Sequence, residues 1–327
     1  MKNLSASLLF VLLALASQLA SAQTTRRVNN TGITGTNIYN DVQAAINAAA
    51  AGDVIQVEPS GVDYPGFTVN KNVTIVGPGY FLDSSQNAGL QANPLSASVS
   101  SIQLQAGGTG AYVAGLEVGT YYVGASNCTI QRCKISQLYL NYNSGLGGQN
   151  LTNVNIKQNY ISNLSQYYSN NIDNLLIVNN IISSISLPTN YNGGFFNNVV
   201  LSNATLNNFF VGSNYFTSNL SGTGNTLNNN ISASTSFPTT NGNQANVAQS
   251  AVFVLSPGTT AFDAWYQLKA GTNPARGAGQ SGTDVGAFGG NSPYKLGGLP
   301  NIPAIYQQSQ TITGNTLNVT LSTRSNN

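Results

Sequence analysis

Through the middle of the chain, apolar residues alternate with polar ones, break at a polar pair, and resume. The phrase reads Cys128-Thr-Ile130-Gln-Arg-Cys133-Lys-Ile135, then Val154-Asn-Ile156-Lys-Gln-Asn159-Tyr-Ile161, then Leu175-Leu-Ile177-Val-Asn-Asn180-Ile-Ile182. The frames start 26 and 21 residues apart, a spacing typical of stacked repeats. Each copy is a short strand, a turn and a further apolar residue. One such unit cannot bury its own apolar face and must stack on its neighbours. Asn159 and Asn180 share a register just after a strand, where the backbone bends and asparagine tolerates a left-handed conformation. Stacked turns of this kind let side-chain amides bond up and down a ladder. In this frame the same position holds Cys133 in the preceding coil and Ala204 in Val199-Val-Leu201-Ser-Asn-Ala204-Thr-Leu206, so the ladder is expected to be interrupted. Phe209-Phe-Val211-Gly-Ser-Asn214-Tyr-Phe216 repeats the phrase only ten residues later. It either lies on a different side of a coil or marks a shift of register. Beyond Asn219 no coil is assigned.

The flanks change period. Asn40 to Ala51 reads as a helix: Val42, Ala45, Ile46 and Ala49 recur at helical spacing. Asn40 is the expected N-cap, Gln43 completes a capping-box pattern, and Gly52 can end the helix in a left-handed conformation. Strands follow at Asp53 to Val57 and Phe67 to Val76, the second ending in Gly77-Pro78-Gly79. Near the C-terminus, Trp265 to Lys269 leads through Thr272-Asn273-Pro274-Ala275 and Gly277-Ala-Gly279 to Asp284-Val-Gly286-Ala287-Phe-Gly-Gly290. Alternating apolar residues at Leu299 to Tyr306 and Thr316 to Leu321 predict a tail of strands.

A short Ala-rich helix, then Gly-Asp and apolar strands, then repeat frames and this closing segment, resembles the secreted bacterial right-handed parallel β-helix proteins of the pectate-lyase-like superfamily. The resemblance covers most of residues 36–290. It implies an all-β fold: a right-handed, single-stranded parallel β-helix (solenoid) with a short capping α-helix at 40–51 and a C-terminal strand tail at 291–327 covering the last coil. An open coil end would expose apolar core and unpaired strand groups, which is why caps are expected. Residues 23–35 are expected to form a linker. The fold itself is specific for architecture and not for activity.

Composition narrows the setting. Lys2, the apolar run Leu8 to Leu19 and Ala20-Ser21-Ala22 form a signal-peptide pattern over residues 1–22, with cleavage near Ala22. A secreted or cell-surface protein is expected, with the periplasm as a further location and no transmembrane helix in the mature chain. Charged residues are 6 % of the chain, net charge is +2, and none occurs between Asn174 and Phe262. Binding to nucleic acid needs clustered Lys and Arg and is not expected. A 41 % apolar fraction argues against disorder. Cys128 and Cys133 lie five residues apart in a nearly extended segment, which favours two small core residues over a disulfide.

The same sparseness limits the chemistry. The chain has no histidine, and Asp173 is the one acidic residue between Glu117 and Asp263. No metal site or cofactor is expected, since calcium takes several carboxylates. Glycoside hydrolysis by paired carboxylates lacks its pair. A calcium-independent lyase acting on an acidic polysaccharide remains as the alternative, through a small basic patch of Arg132, Lys134 and Lys157 beside Tyr160. The register places Arg132 level with Gln158, Lys134 with Tyr160, and Lys157 with Gln131. Solvated side chains flanking a turn explain the same residues. Tyr121, Tyr122, Tyr139, Tyr142, Tyr167 and Tyr168 are the candidate ligand-binding group, because aromatic rings and hydroxyls suit sugars. Tyrosine is also a good strand residue. The expectation is a non-catalytic protein that binds extracellular polysaccharide or cell-surface glycan, or serves adhesion or structure.

Overall fold

In a computed structural model describing residues 23–83, 85, 87, 89–142, 147–255 and 262–326, the alternation becomes a parallel β-solenoid of about nine turns. The expected signal segment lies outside the described residues. The apolar positions of the repeat phrase stack in register. Ile55, Ile75, Val113, Ile130, Ile156, Ile177, Phe195, Val211 and Leu227 form one interior column, each paired with the next. All but Leu227 are essentially removed from water, and burial of such a side chain is worth about 1.5–3 kcal/mol. No coil could gain this alone. The parallel ladder supplies backbone partners above and below, so the sequence pattern is stable only as a stack.

After this sheet the chain makes a tight turn and enters a second strand. Ser98–Leu104, Glu117–Val123 and Lys134–Leu140 share one burial pattern in which two successive residues face outward in mid-strand. Strict alternation would bury one of them, so the strand bends there and contributes to two further faces. Ile135, Leu138 and Leu140 point inward.

The turn carries the asparagine ladder, and here the structure corrects the sequence register. Asn159, Asn180, Asn198, Asn214, Asn230 and Asn243 stack without interruption and are buried. Cys133 continues the row upward, its backbone N–H donating to Asn159 Oδ1 at 2.9 Å. Ala204 is not on the row; Asn198 is. The phrase ending in Asn214 and Tyr215 is the next coil in the same register. The spacing along the ladder falls from 26 to 21, 18, 16, 16 and 13 residues. The coils shorten towards the C-terminus, so a fixed period overshoots after Asn180.

The ends also differ from expectation. The helix, α1, spans Val42–Ala48 and is capped by Asp41, whose carboxylate accepts from Ala44 N–H. Asp41 directly precedes the first helical residue, so its side chain, and not that of Asn40, reaches the Ala44 N–H. Gln43 does not close a capping box; it reaches across to Thr68, accepting from its N–H at 2.8 Å. Ala49 ends the helix in an extended conformation, before Gly52. Residues expected as a linker supply the first rung: Thr25–Val28 pairs with Val54–Val57. Its two arginines obscured it as a strand, but Arg26 is paired with Asp53 at 3.0 Å and Arg27 with Glu58.

The C-terminal segment returns along the outside of the solenoid. The residue before each ladder position has positive φ: Arg132, Gln158, Asn179, Asn197, Ser213 and Asn229. Each binds the returning segment. Asn229 donates to Ala278 C=O, Ser213 Oγ accepts from Gln280 N–H, and Asn197 donates to Asp284 C=O. Asn179 donates to Ala287 and Gly289, Gln158 to Ser292 and Pro293, and Arg132 to Leu299. The segment forms a strap over six consecutive coils. It passes so close that a Cβ on Gly298 would stand 2.6 Å from the Arg132 carbonyl. The final strands, Ala304–Thr313 and Thr316–Arg324, form an exposed antiparallel hairpin. Its base contacts the early coils through Ala92 N–H to Ile305 C=O and Arg324 to Leu90 C=O. The tail expected over the last coil therefore lies at the other end, because the strap carries it back.

Candidate functional site: a neutral face ending in tyrosines

The outward positions of the strands after the bend form two straight rows. One runs Gln103, Tyr122, Tyr139, Ser165, Ser186, Thr205, Ser221, each paired with the next. The other runs Ser101, Thr120, Gln137, Asn163, Ser184. Neither row contains a charged side chain. Neighbouring rungs are about 4.8 Å apart, so the face is a regular lattice of hydroxyls and amides. Some of these groups link the rungs: Gln137 donates to Ser165 Oγ at 3.1 Å, and Thr205 and Ser221 share a hydrogen bond of 2.8 Å.

Five tyrosines gather at the early end of this face. Tyr122 and Tyr139 sit on adjacent rungs with rings stacked 5.5 Å apart at 14°. Tyr142 lies 4.3 Å from Tyr122. Tyr167 meets Tyr139 and Tyr142 edge-on at 5.4 Å and 4.7 Å, and Tyr168 lies 5.0 Å from Tyr167. Edge-to-face and offset pairs of this kind are favoured by the ring quadrupoles. The rings thus spend much of their faces on one another. Tyr167 and Tyr168, 49 % and 38 % exposed, keep the most surface for a ligand. Tyr121 does not belong to this group. Alternation turns it inward, where it is fully buried with its hydroxyl unpaired among the described residues, so it is not available to a ligand.

The basic patch keeps its register and loses its unity. Lys134 pairs with Tyr160 and Lys157 with Gln131, as the sequence frame indicated. Arg132, however, is buried at the turn, bonded to Gln158, Leu299 C=O and Asn301. Burial holds its pKa below the usual arginine value. Lys134 forms an ion pair with Glu117 at 3.0 Å and lies over the Phe81 ring. Lys157 ends the strand before the turn, whereas Lys134 and Tyr160 begin strands after it. Burial raises the Tyr160 hydroxyl, and its ring packs on Phe81 and Phe262. The strap therefore takes the arginine, and the turn separates the two lysines. Among the described residues no three His, Cys, Asp or Glu side chains converge as metal ligands do.

One polar cluster escaped the sequence reading. Asp263 is fully buried, accepts from Gly297 N–H at 2.8 Å and neighbours Asn87 and Tyr294. Tyr294 in turn shares a hydrogen bond with Tyr80. Burial raises the Asp263 carboxyl above its ordinary value. The cluster ties together three segments far apart in sequence, a relation no local pattern reveals. Comparison with family models, with characterised proteins and with solved structures finds no match to this chain.

Proposed function

We propose that this is an exported, right-handed parallel β-helix that binds carbohydrate without cleaving it, on the neutral face that ends in the tyrosine cluster. The signal-peptide pattern at residues 1–22 supports export to the cell surface or surroundings. A parallel crossover returning to its own sheet is right-handed in nearly all proteins, which supports the hand. The observation that carries the binding role is the pair of uncharged rows leading to Tyr122, Tyr139, Tyr142, Tyr167 and Tyr168. Hydroxyls and amides at regular spacing match sugar hydroxyls, and Tyr167 and Tyr168 offer ring surface for a pyranose.

A glycan array followed by calorimetry with the mature protein tests this reading. Saturable binding, weakened at least tenfold in Tyr167→Ser/Tyr168→Ser, is expected. Absence of binding to any glycan would leave a structural or adhesive role. Rising ultraviolet absorbance on incubation with an acidic polysaccharide, abolished by Lys134→Ala, would establish a lyase instead.

A further inference from the structure

A second binding site, unrelated to the tyrosine face, lies where the strap meets the first coils. A cavity of about 570 Å³ opens between Gln56 and Val57 on the strand Val54–Val57, Gly77 and Pro78 just after the strand Thr74–Val76, the loop 91–94, and residues 299–308. That volume falls within the range of small-molecule sites. Its walls are fixed from both sides. Ala92 N–H donates to Ile305 C=O at 2.8 Å, and Asn326 donates to Ile302 C=O at 3.0 Å. Arg132 holds Leu299 C=O at 2.8 Å.

The lining is unusual in kind. Pro59, Pro78, Pro94, Pro300 and Pro303 supply five of the chain's 11 prolines. Proline has a fixed φ and no N–H, so these walls are preformed and present flat C–H surface. Leu299, Ile302 and Ile305 extend the apolar surface. Among the described residues no charged side chain lines the cavity. An ion entering it would lose water; a cation would meet no carboxylate there, and the Arg132 guanidinium behind the wall is already engaged by Gln158, Leu299 C=O and Asn301. Gln56 and Gln308 reach the cavity with no side-chain hydrogen bond among the described residues. They can donate to, or accept from, an entering polar group.

We infer that this cavity binds a small, uncharged, planar aromatic molecule carrying carbonyl or hydroxyl groups, its ring against the prolines and its polar edge on Gln56 and Gln308. Proline C–H faces complement aromatic rings, as they do when proline-rich segments dock in aromatic grooves. The neutral walls select against charged forms of the same ring.

Nile red, neutral and planar with a ring carbonyl, is the probe, and the mature full chain is the protein. One saturable site per chain with blue-shifted emission is expected. Ala304→Trp fills the cavity and is expected to weaken binding at least tenfold. Ile312→Ser/Leu317→Ser, at the exposed hairpin end, is expected to leave it unchanged. Nile blue, a cationic relative of the same shape, is expected to bind at least tenfold more weakly. If Ala304→Trp fails to fold by circular dichroism, Gln56→Glu is used. The new charge is expected to weaken Nile red and strengthen Nile blue. No saturable binding, binding indifferent to both cavity variants, binding lost in the hairpin variant, or equal affinity for the cation would each overturn the assignment.

Discussion

Asn180 Oδ1 accepts both the backbone N–H and the side-chain amide of Asn159, at 2.9 and 3.0 Å, while its own Nδ2 donates to Ile156 C=O at 2.9 Å. The same set of bonds recurs down the row to Asn243. Each amide is therefore bonded through both its oxygen and its nitrogen inside a buried turn, where an unpaired group is costly.

Truncating one member should break bonds in two coils at once. Asn180→Ala is expected to cost about 3 kcal/mol or more, because Asn159 N–H is left buried and unpaired. A second row, Asn127, Asn153 and Asn174, is also linked amide to amide but is exposed. Asn174→Ala there is expected to cost about 1 kcal/mol or less, since water replaces the lost partner. Urea denaturation of the two variants distinguishes the rows; equal losses would mean that burial does not set the value of the ladder.

Strap attachment separates into conformation and bonding at Asn179, which has φ of 54° and donates to Ala287 and Gly289. Asn179→Gly keeps the backbone comfortable and deletes the clamp. It is expected to raise amide exchange in residues 284–292 while the interior column stays protected. Asn179→Val deletes the clamp and adds about 1–2 kcal/mol of left-handed strain. It should lower the thermal midpoint further than the glycine variant.

The two buried carboxylates pull stability in opposite directions with pH. Burial alone would raise Asp53, but N–H groups of Thr24 and Ala50 and the Arg26 guanidinium overcome it and hold the carboxyl below its ordinary 3.8. Its contribution is present above pH 3.8 and lost as pH falls through the lower folded value. Asp263 is raised above 3.8 by burial. Its contribution is full below 3.8 and lost as pH rises through the folded value. Asp53→Asn is expected to cost about 3 kcal/mol near neutrality, with the loss shrinking in acid. Asp263→Asn is expected to gain on the natural protein as pH rises from 4. Melting curves between pH 3 and 8 decide both; parallel curves for Asp263→Asn and the natural protein would remove Asp263 as the titrating group.

Within the tyrosine cluster, position separates stability from binding. Tyr122 contacts Tyr139, Tyr142 and Tyr167. Tyr122→Ala is expected to lose about 1–3 kcal/mol from those three ring pairs and their burial. Among the described aromatic rings, Tyr168 packs on Tyr167 only. Its replacement by Ser is expected to leave the melting temperature within a degree or two and to lower glycan affinity. Equal thermal losses in the two variants would make the cluster a packing unit only.

Cys128 and Cys133 are free and buried, and burial pushes both thiols up to about 12. Both are expected to resist an aqueous thiol reagent in the native protein at pH 8 and to react once unfolded, as thiols rather than as a disulfide. Rapid labelling of the native chain would place them at the surface.

The repeat phrase made the stack legible because the interior of a solenoid imposes the same choice on every coil. Ile130, Ile156 and Ile177 could be aligned by eye, and Asn159 with Asn180. The next rung could not, since only backbone pairing shows that Asn198 follows Asn180 at 18 residues. The row before the ladder did hold a signal: Arg132, Gln158, Asn179, Asn197, Ser213 and Asn229 are all polar, in six successive coils. Nothing local announces that one returning segment, distant in sequence, meets all six.

The sequence by itself determined the parallel stack, because alternation and burial are local properties repeated in each coil. It also determined the scarcity of charge that disfavours carboxylate chemistry. Tertiary structure alone decided which outward groups share a face. It gathered five tyrosines, took Arg132 from the basic patch for the strap, and closed a proline-lined cavity at the opposite end from where the tail was expected. These outcomes depend on coil length and on the path of one long return. The return is set by contacts between residues more than two hundred positions apart, such as Tyr80 and Tyr294, whose separation is 214, and Leu90 and Arg324, whose separation is 234. A period read along the chain cannot encode such contacts, because no part of it reports where the chain comes back.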